Sequence, residues 1–120
     1  MNNIAIGKLG ELYACEFLVD NGFRIISRNF RYGRSSELDI IAVKSNVINF
    51  VEVKTRVEFD MGEHYKSINK FKVLKIKRGV SKFLAINPQF YNCQYQIKAA
   101  IVLINPYTRH SKVVFYNYLD

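Results

Sequence analysis

Two cysteines, two histidines and no long apolar run leave this 120-residue chain with few ways to be certain kinds of protein. Cys15 and Cys93 are too few and too far apart to build the disulfide framework of a small secreted domain. Together with His64 and His110 they show no C-x-x-C or H-x-x-x-H spacing, so a zinc site is not expected. No apolar stretch approaches the roughly 18 residues that a membrane span needs. The first apolar stretch carries Glu11 and Glu16 and has no basic leader, unlike a signal peptide. No Ser-His-Asp set and no reactive-cysteine arrangement is visible. Internal repeats, linkers and low-complexity segments are also missing, so the expectation is one cytoplasmic domain over residues 1–120 that does not enter a membrane.

What is present is a core-forming composition with a strong positive charge. Hydrophobic residues make up 49% and aromatics 14% of the chain, which argues against disorder. A net charge of +8 favours a polyanionic partner, nucleic acid before anionic membrane.

The apolar pattern outlines the elements. Residues 4–23 read as a helix that stops at Asn21-Gly22. Its periodicity offers two stripes, Ala5, Leu9, Leu12, Tyr13 and Phe17, or Gly7, Glu11, Ala14 and Leu18, and does not choose between them. "FRIISRNFRY" predicts a first strand and "SELDIIAVKSNVINFVEVKTR" a hairpin. A loop with Asp60-Met61-Gly62 follows, then a basic helix from about Ser67 to Ile86, closed by Asn87-Pro88. "YQIKAAIVLI" has the continuous apolar character of a buried strand. "KVVFYNYL" fits a strand or a short helix. This order predicts a mixed sheet with helices on its faces.

The hairpin contains the chemistry. If Val43 pairs with Ile48 across a Ser45-Asn46 turn, the constant index sum sets Asp39 opposite Glu52 and Glu37 opposite Lys54. Alternation then puts Glu37, Asp39, Ile41, Ile48, Phe50, Glu52 and Lys54 on one face and Leu38, Ile40, Ala42, Val51 and Val53 on the other. Opposed residues have β-carbons about 5 Å apart. At an effective dielectric near 20 the repulsion between two carboxylates there is on the order of 3 kcal/mol. A raised pKa, a cation partner for each acid, or a metal ion between them would relieve it, and oxygen ligands suit Mg²⁺ or Mn²⁺. The plainer alternative is an edge hairpin whose charges face water, with Lys54 bridging Glu37.

Asp39 followed by Glu52-Val53-Lys54 is similar to the PD-(D/E)xK signature of restriction-endonuclease-like nucleases. The ordered set Gly10-Glu11, Glu37-x-Asp39 and Phe50-Val51-Glu52-Val53-Lys54-x-Arg56 resembles, more specifically, the YraN-like family of small bacterial proteins. That resemblance implies a three-layer α/β/α restriction-endonuclease-like fold with a central mixed sheet flanked by helices. It also implies that Asp39, Glu52 and the Val53 carbonyl hold a metal ion and that Lys54 orients or deprotonates the attacking water. Glu11 would be a further acidic site residue, which selects the Gly7–Leu18 stripe; a solvated helix glutamate is the alternative. Two departures stand out: Ser36 replaces the family's usual glycine, and Ala100 stands where the family often has an acid.

Arg56 is a candidate for phosphate contact, and Glu37 beside Lys54 for tuning it. The basic helix, with Lys70, Lys72, Lys75, Lys77, Arg78 and Lys82, reads as an amphipathic core helix around Ile68, Phe71, Leu74, Ile76, Val80 and Phe83. Its exterior could contact nucleic-acid backbone through Lys72 and Lys75; Lys72, which matches a lysine typical of the family, could instead reach the site. The expected function is therefore a Mg²⁺- or Mn²⁺-dependent endonuclease acting on DNA by structure rather than sequence. The alternative is a non-catalytic module on the same fold that binds nucleic acid or a protein partner.

Overall fold

Asn2 starts the first helix in the computed structural model, its side-chain oxygen accepting from the Ala5 N–H at 2.8 Å. The structure describes residues 2–34, 37–57 and 70–118. Helix α1 (Asn3–Asp20) ends where Gly22 takes φ +86°, the left-handed stop that the sequence implies. Strands β1 (Arg24–Arg31), β2 (Glu37–Lys44) and β3 (Val47–Val57) follow, then helix α2 (Lys70–Ile86), a short 3₁₀ turn and strands β4 (Gln94–Ile104) and β5 (Ser111–Asn117). The expected loop at 60–62 and the expected α2 start at Ser67 lie outside the described residues. The final stretch is a strand.

The strands form one sheet in the order β1-β2-β3-β4-β5. Only β3 and β4 run parallel, as α2 carries the chain from one to the other. Ser45 and Asn46 both have positive φ (51° and 62°), the two-residue turn whose twist suits a hairpin. Val43 pairs with Ile48 as the index sum requires.

Each sheet face has its own core, giving the three-layer α/β/α arrangement. On the α2 side Ile41, Ile48, Phe50, Ile97 and Ala99 pack with Ile76, Val80 and Phe83. On the α1 side Ile40, Ala42, Val51, Ala100 and Val102 pack with Ala14 and Leu18. Buried Gly10, Ala14, Cys15 and Leu18 fix the inward face of α1. The Ala14–Leu18 stripe is thus the seated one, but Gly10, not Gly7, makes the close approach. A Cβ on Gly10 would lie 1.8 Å from Thr55 Oγ1 and 2.8 Å from Thr55 Cβ, whereas one on Gly7 meets nothing within 4 Å. Gly10→Ala should therefore cost about 1–3 kcal/mol in urea unfolding as α1 is lifted off β3. Adding Thr55→Gly should return part of it; a Gly10→Ala protein as stable as wild type would contradict this seating.

Two sequence expectations need correction. Leu38 does not share a face with Ile40: it packs on the α2 side, where a Cβ on Gly79 would meet Leu38 Cγ at 2.9 Å. The change of face occurs where Asn29, at φ +52°, stands between the pairs Arg28–Ile40 and Phe30–Leu38, opposite Asp39. The register is the same on both sides of it, the β1–β2 register shift lying earlier, between Ile25 and Ser27. The apolar face of α2 is also narrower than its composition implies, since Phe71 is 77% and Leu74 52% exposed.

Candidate functional site

The site lies where β2 changes face. Paired backbone between β2 and β3 runs from Lys44–Val47 to Ile40–Val51 and stops one position short of Asp39 and Glu52. Beyond that point the strands fork, and Asp39 turns its carboxylate into the fork, Oδ2 accepting from the Val53 N–H at 2.8 Å. The N–H and C=O of an extended residue leave the strand on the same side, so the Val53 carbonyl faces the fork as well.

Glu52 lies on the α2 face, only 9% exposed, with its carboxylate 2.6 Å from Lys72 Nζ. Burying a carboxylate is unfavourable unless it is paired, and Lys72 supplies the pairing from the first full turn of α2. Of the two positions the sequence left open for Lys72, the helix exterior and the site, it takes the one in the site. Lys54 is half-buried two residues beyond Glu52, its ammonium 5.5 Å from the centre of the Tyr118 ring. The expected Glu37–Lys54 pairing is not present. Beyond the fork the hairpin register no longer holds those residues together, and exposed Glu37 instead lies 3.6 Å from Arg31.

These surroundings shift the ionisable groups. Burial, the Glu52 charge and Glu11 together push the Asp39 carboxyl up to about 7, against the Val53 N–H bond. Burial also raises Glu11, with Glu37 and Glu52 adding to it against Arg28. Burial lowers Lys54, helped by the neighbouring Lys72 charge and opposed by Glu52. For Lys72 burial works downward, but the hydrogen bond and charge of Glu52 outweigh it and the ammonium is held above its usual range.

Two clefts meet at Asp39, Val53 and Lys72. One, of about 690 Å³, lies along α1 and is lined by Glu11, Lys54 and Arg56 among others. The other, of about 410 Å³, lies along α2 and includes Arg34, Glu37, Glu52 and Lys75. All the site residues expected from sequence therefore border one continuous region. Glu37 and Lys75 stand at its rim, and Arg56 is exposed there with its guanidinium donating to the Thr55 carbonyl at 2.8 Å. Ala100 is fully buried in the α1-side core and pairs with Val53, so it offers no polar group to the fork.

The family model of the uncharacterised protein family UPF0102 matches residues 10–104, which include every element of the fork. The chain belongs to this family, the YraN-like group indicated by its motifs. A UPF0102 protein of Dictyoglomus thermophilum is 33% identical over 120 residues, covering 99% of this chain and 97% of the relative. Another from Clostridium novyi is 34% identical over 113 residues, 94% of this chain and 92% of the relative. One from Caldicellulosiruptor saccharolyticus is 38% identical over 105 residues, 88% of this chain and 87% of the relative.

Among the described residues no three His, Cys, Asp or Glu side chains converge as a ligand group. Glu11 acts on Asp39 through its charge rather than completing a third ligand. The donors at the fork are thus two carboxylates and one carbonyl, all oxygen, the set that suits Mg²⁺ or Mn²⁺ with water or phosphate oxygens completing the shell. A dication there would offset both the burial and the Glu52 repulsion that raise Asp39, so the residues fit such an ion. Tyr118 is a site residue that sequence reasoning missed. Its hydroxyl is buried without a hydrogen-bond partner among the described residues, and the Glu52 charge, after burial, raises its pKa. No motif marks it, since it becomes a neighbour of Lys54 only when β5 completes the sheet edge. Among the described residues no helix is long and apolar enough to cross a membrane.

Proposed function

We propose that the fork binds a divalent cation and that the protein hydrolyses phosphodiester bonds in nucleic acid, DNA being the first substrate to test. The observation that carries this reading is the pair of carboxylates, Asp39 and Glu52, brought together at the broken end of the β2–β3 ladder, with Asp39 buried and pushed up to about 7 by that burial and by the Glu52 charge. Asp39, Glu52 and the Val53 carbonyl would hold Mg²⁺ or Mn²⁺. The ion would supply charge neutralisation at the phosphate and a more acidic water.

The chain's own residues do the rest. Lys54, its own proton held less tightly than usual, is placed to orient the attacking water, and in its neutral amine form to accept that water's proton. Were an ion held by Glu52, Lys72, now paired with that carboxylate, would be released to place its ammonium against the phosphate. Arg56 at the rim contacts the backbone of the bound strand, and Glu11 keeps the field around Asp39 negative enough to favour a cation. The alternative of a non-catalytic nucleic-acid-binding module draws on one observation, that Lys72 already neutralises Glu52.

Cleavage assays on single-stranded, duplex, flapped and four-way-junction DNA, each with Mg²⁺, Mn²⁺ or chelator, separate the two. Ion-dependent cutting that disappears in Lys54→Ala is the expected result. Equal DNA binding by wild type and Lys54→Ala with no cutting of any substrate would favour the binding module.

A further inference from the structure

A second groove, of about 420 Å³, runs along the outer face of α2. Tyr32, Leu74 and Ile86 give it apolar walls, and Lys77, Arg78 and Lys82 line it with positive charge. The Lys82 ammonium sits 4.2 Å from the centre of the Tyr32 ring, which fixes the ring beside the helix while leaving Tyr32 45% exposed. The groove and the acidic cleft of the fork are lined by neighbouring residues of the same two segments. Lys75 and Arg34 border the acidic cleft, and Lys82 lies seven residues beyond Lys75, about 10 Å along the helix. Tyr32 and Arg34 belong to the same short connection between β1 and β2.

The charge here has no local counterweight in the sequence. From His64 to Leu119 the chain holds ten Lys and Arg residues and no Asp or Glu. A solvated helix face explains the lysines alone but not why an aromatic ring and two large aliphatic side chains are left exposed among them. A duplex offers such a surface only its phosphates, because its base faces are stacked away. An unpaired nucleotide offers a phosphate for the basic rim and a flat base for the aromatic wall.

We infer that this groove is the binding track for a single-stranded segment of the substrate, leading its backbone from Arg34 and Lys75 at the fork past Arg78 to Lys82, with one unpaired base stacked on Tyr32. The inference rests on the phosphodiester reading of the fork and adds a substrate class to it, nucleic acid with a single-stranded tail or gap.

The test is binding by fluorescence anisotropy in chelator, with Asp39→Asn as the parent so that no substrate is consumed. The probes are a blunt duplex, the same duplex with a ten-nucleotide tail, and single-stranded dT and rU oligomers, the last two showing whether the tail is read as DNA or RNA. The tail should tighten binding about tenfold; Tyr32→Ala should remove that gain and Tyr32→Phe keep it. Arg78→Gln with Lys82→Gln should reduce the salt dependence of log Kd on the tailed probe by about 1.4. Blunt and tailed duplex bound alike, with Tyr32→Ala neutral and its unfolding curve unchanged, would overturn the track, as would no binding of any probe. Binding of this pattern without cleavage by the wild-type protein would retain the track and remove the chemistry; cleavage without this pattern would do the reverse.

Discussion

Asp39→Asn should make the metal-free protein more stable at pH 8, by on the order of 2–4 kcal/mol, while reducing ion-dependent cleavage at least about a hundredfold. The two effects have one cause. The Asp39 carboxyl titrates near 7 in the folded protein, against an ordinary value of 3.8. A raised carboxyl pKa means that the folded state binds the proton more tightly than the unfolded chain does. Below about pH 4 both states are protonated and Asp39 imposes no penalty; between about 4 and 7 the penalty grows, and above 7 it is complete. Wild-type stability should therefore fall across that window in chelator, and the Asp39→Asn protein should lose most of that slope. Urea unfolding at several pH values measures both. Millimolar Mg²⁺ should restore stability to the wild type at pH 8 and leave the variant unchanged. A wild type whose stability is flat from pH 4 to 7 would show that Asp39 is not held against its charge.

Lys72→Met should destabilise the metal-free protein strongly although it leaves both carboxylates in place. It removes the cation 2.6 Å from Glu52 and strands a buried negative charge next to Asp39. Breaking a fully buried pair from one side costs about 3–5 kcal/mol; with the Lys72 side chain 43% exposed, solvent screening lowers the expected loss to about 2–3 kcal/mol. Methionine keeps most of the volume, so the loss reports charge rather than packing. Divalent ion should recover much of it, because a dication can take the place of the missing ammonium, and the apparent ion affinity should rise by tenfold or more. Cleavage should nevertheless remain low, since the ammonium that faces the phosphate is gone. Thermal unfolding with and without Mg²⁺ reads these effects. A Lys72→Met protein as stable as wild type in chelator would mean that the pair contributes nothing.

The elements that carry a local signal were legible. Asn21-Gly22 stops α1 because glycine accepts positive φ, and Ser45-Asn46 sets the hairpin register, so Val43–Ile48 follows from chain arithmetic alone. The apolar continuity of 95–104 identified β4, which is paired on both sides. What the register could not show was where it ends. Alternation predicts Leu38 with Ile40, yet β2 changes face opposite Asn29 and separates them, and an asparagine in the left-handed region leaves no pattern in hydropathy. The sequence arithmetic brought Asp39 near Glu52 but also set Glu37 by Lys54, which the fork undoes. Lys72 was legible as a cation and not as the partner of Glu52, because helical spacing gives a residue's face without the tilt and depth of its helix on the sheet. Tyr118 and Tyr32 gain their meaning only from neighbours far away in the chain.

Whether Asp39 and Glu52 share a divalent cation is decided by crystals soaked in Mn²⁺ and recorded at its absorption edge. The expected result is an anomalous peak in the fork about 2.1 Å from a carboxylate oxygen of each residue and from the Val53 carbonyl, with Lys72 turned away from Glu52. A fork without a peak at millimolar Mn²⁺, and Lys72 still bound to Glu52, would contradict a shared cation.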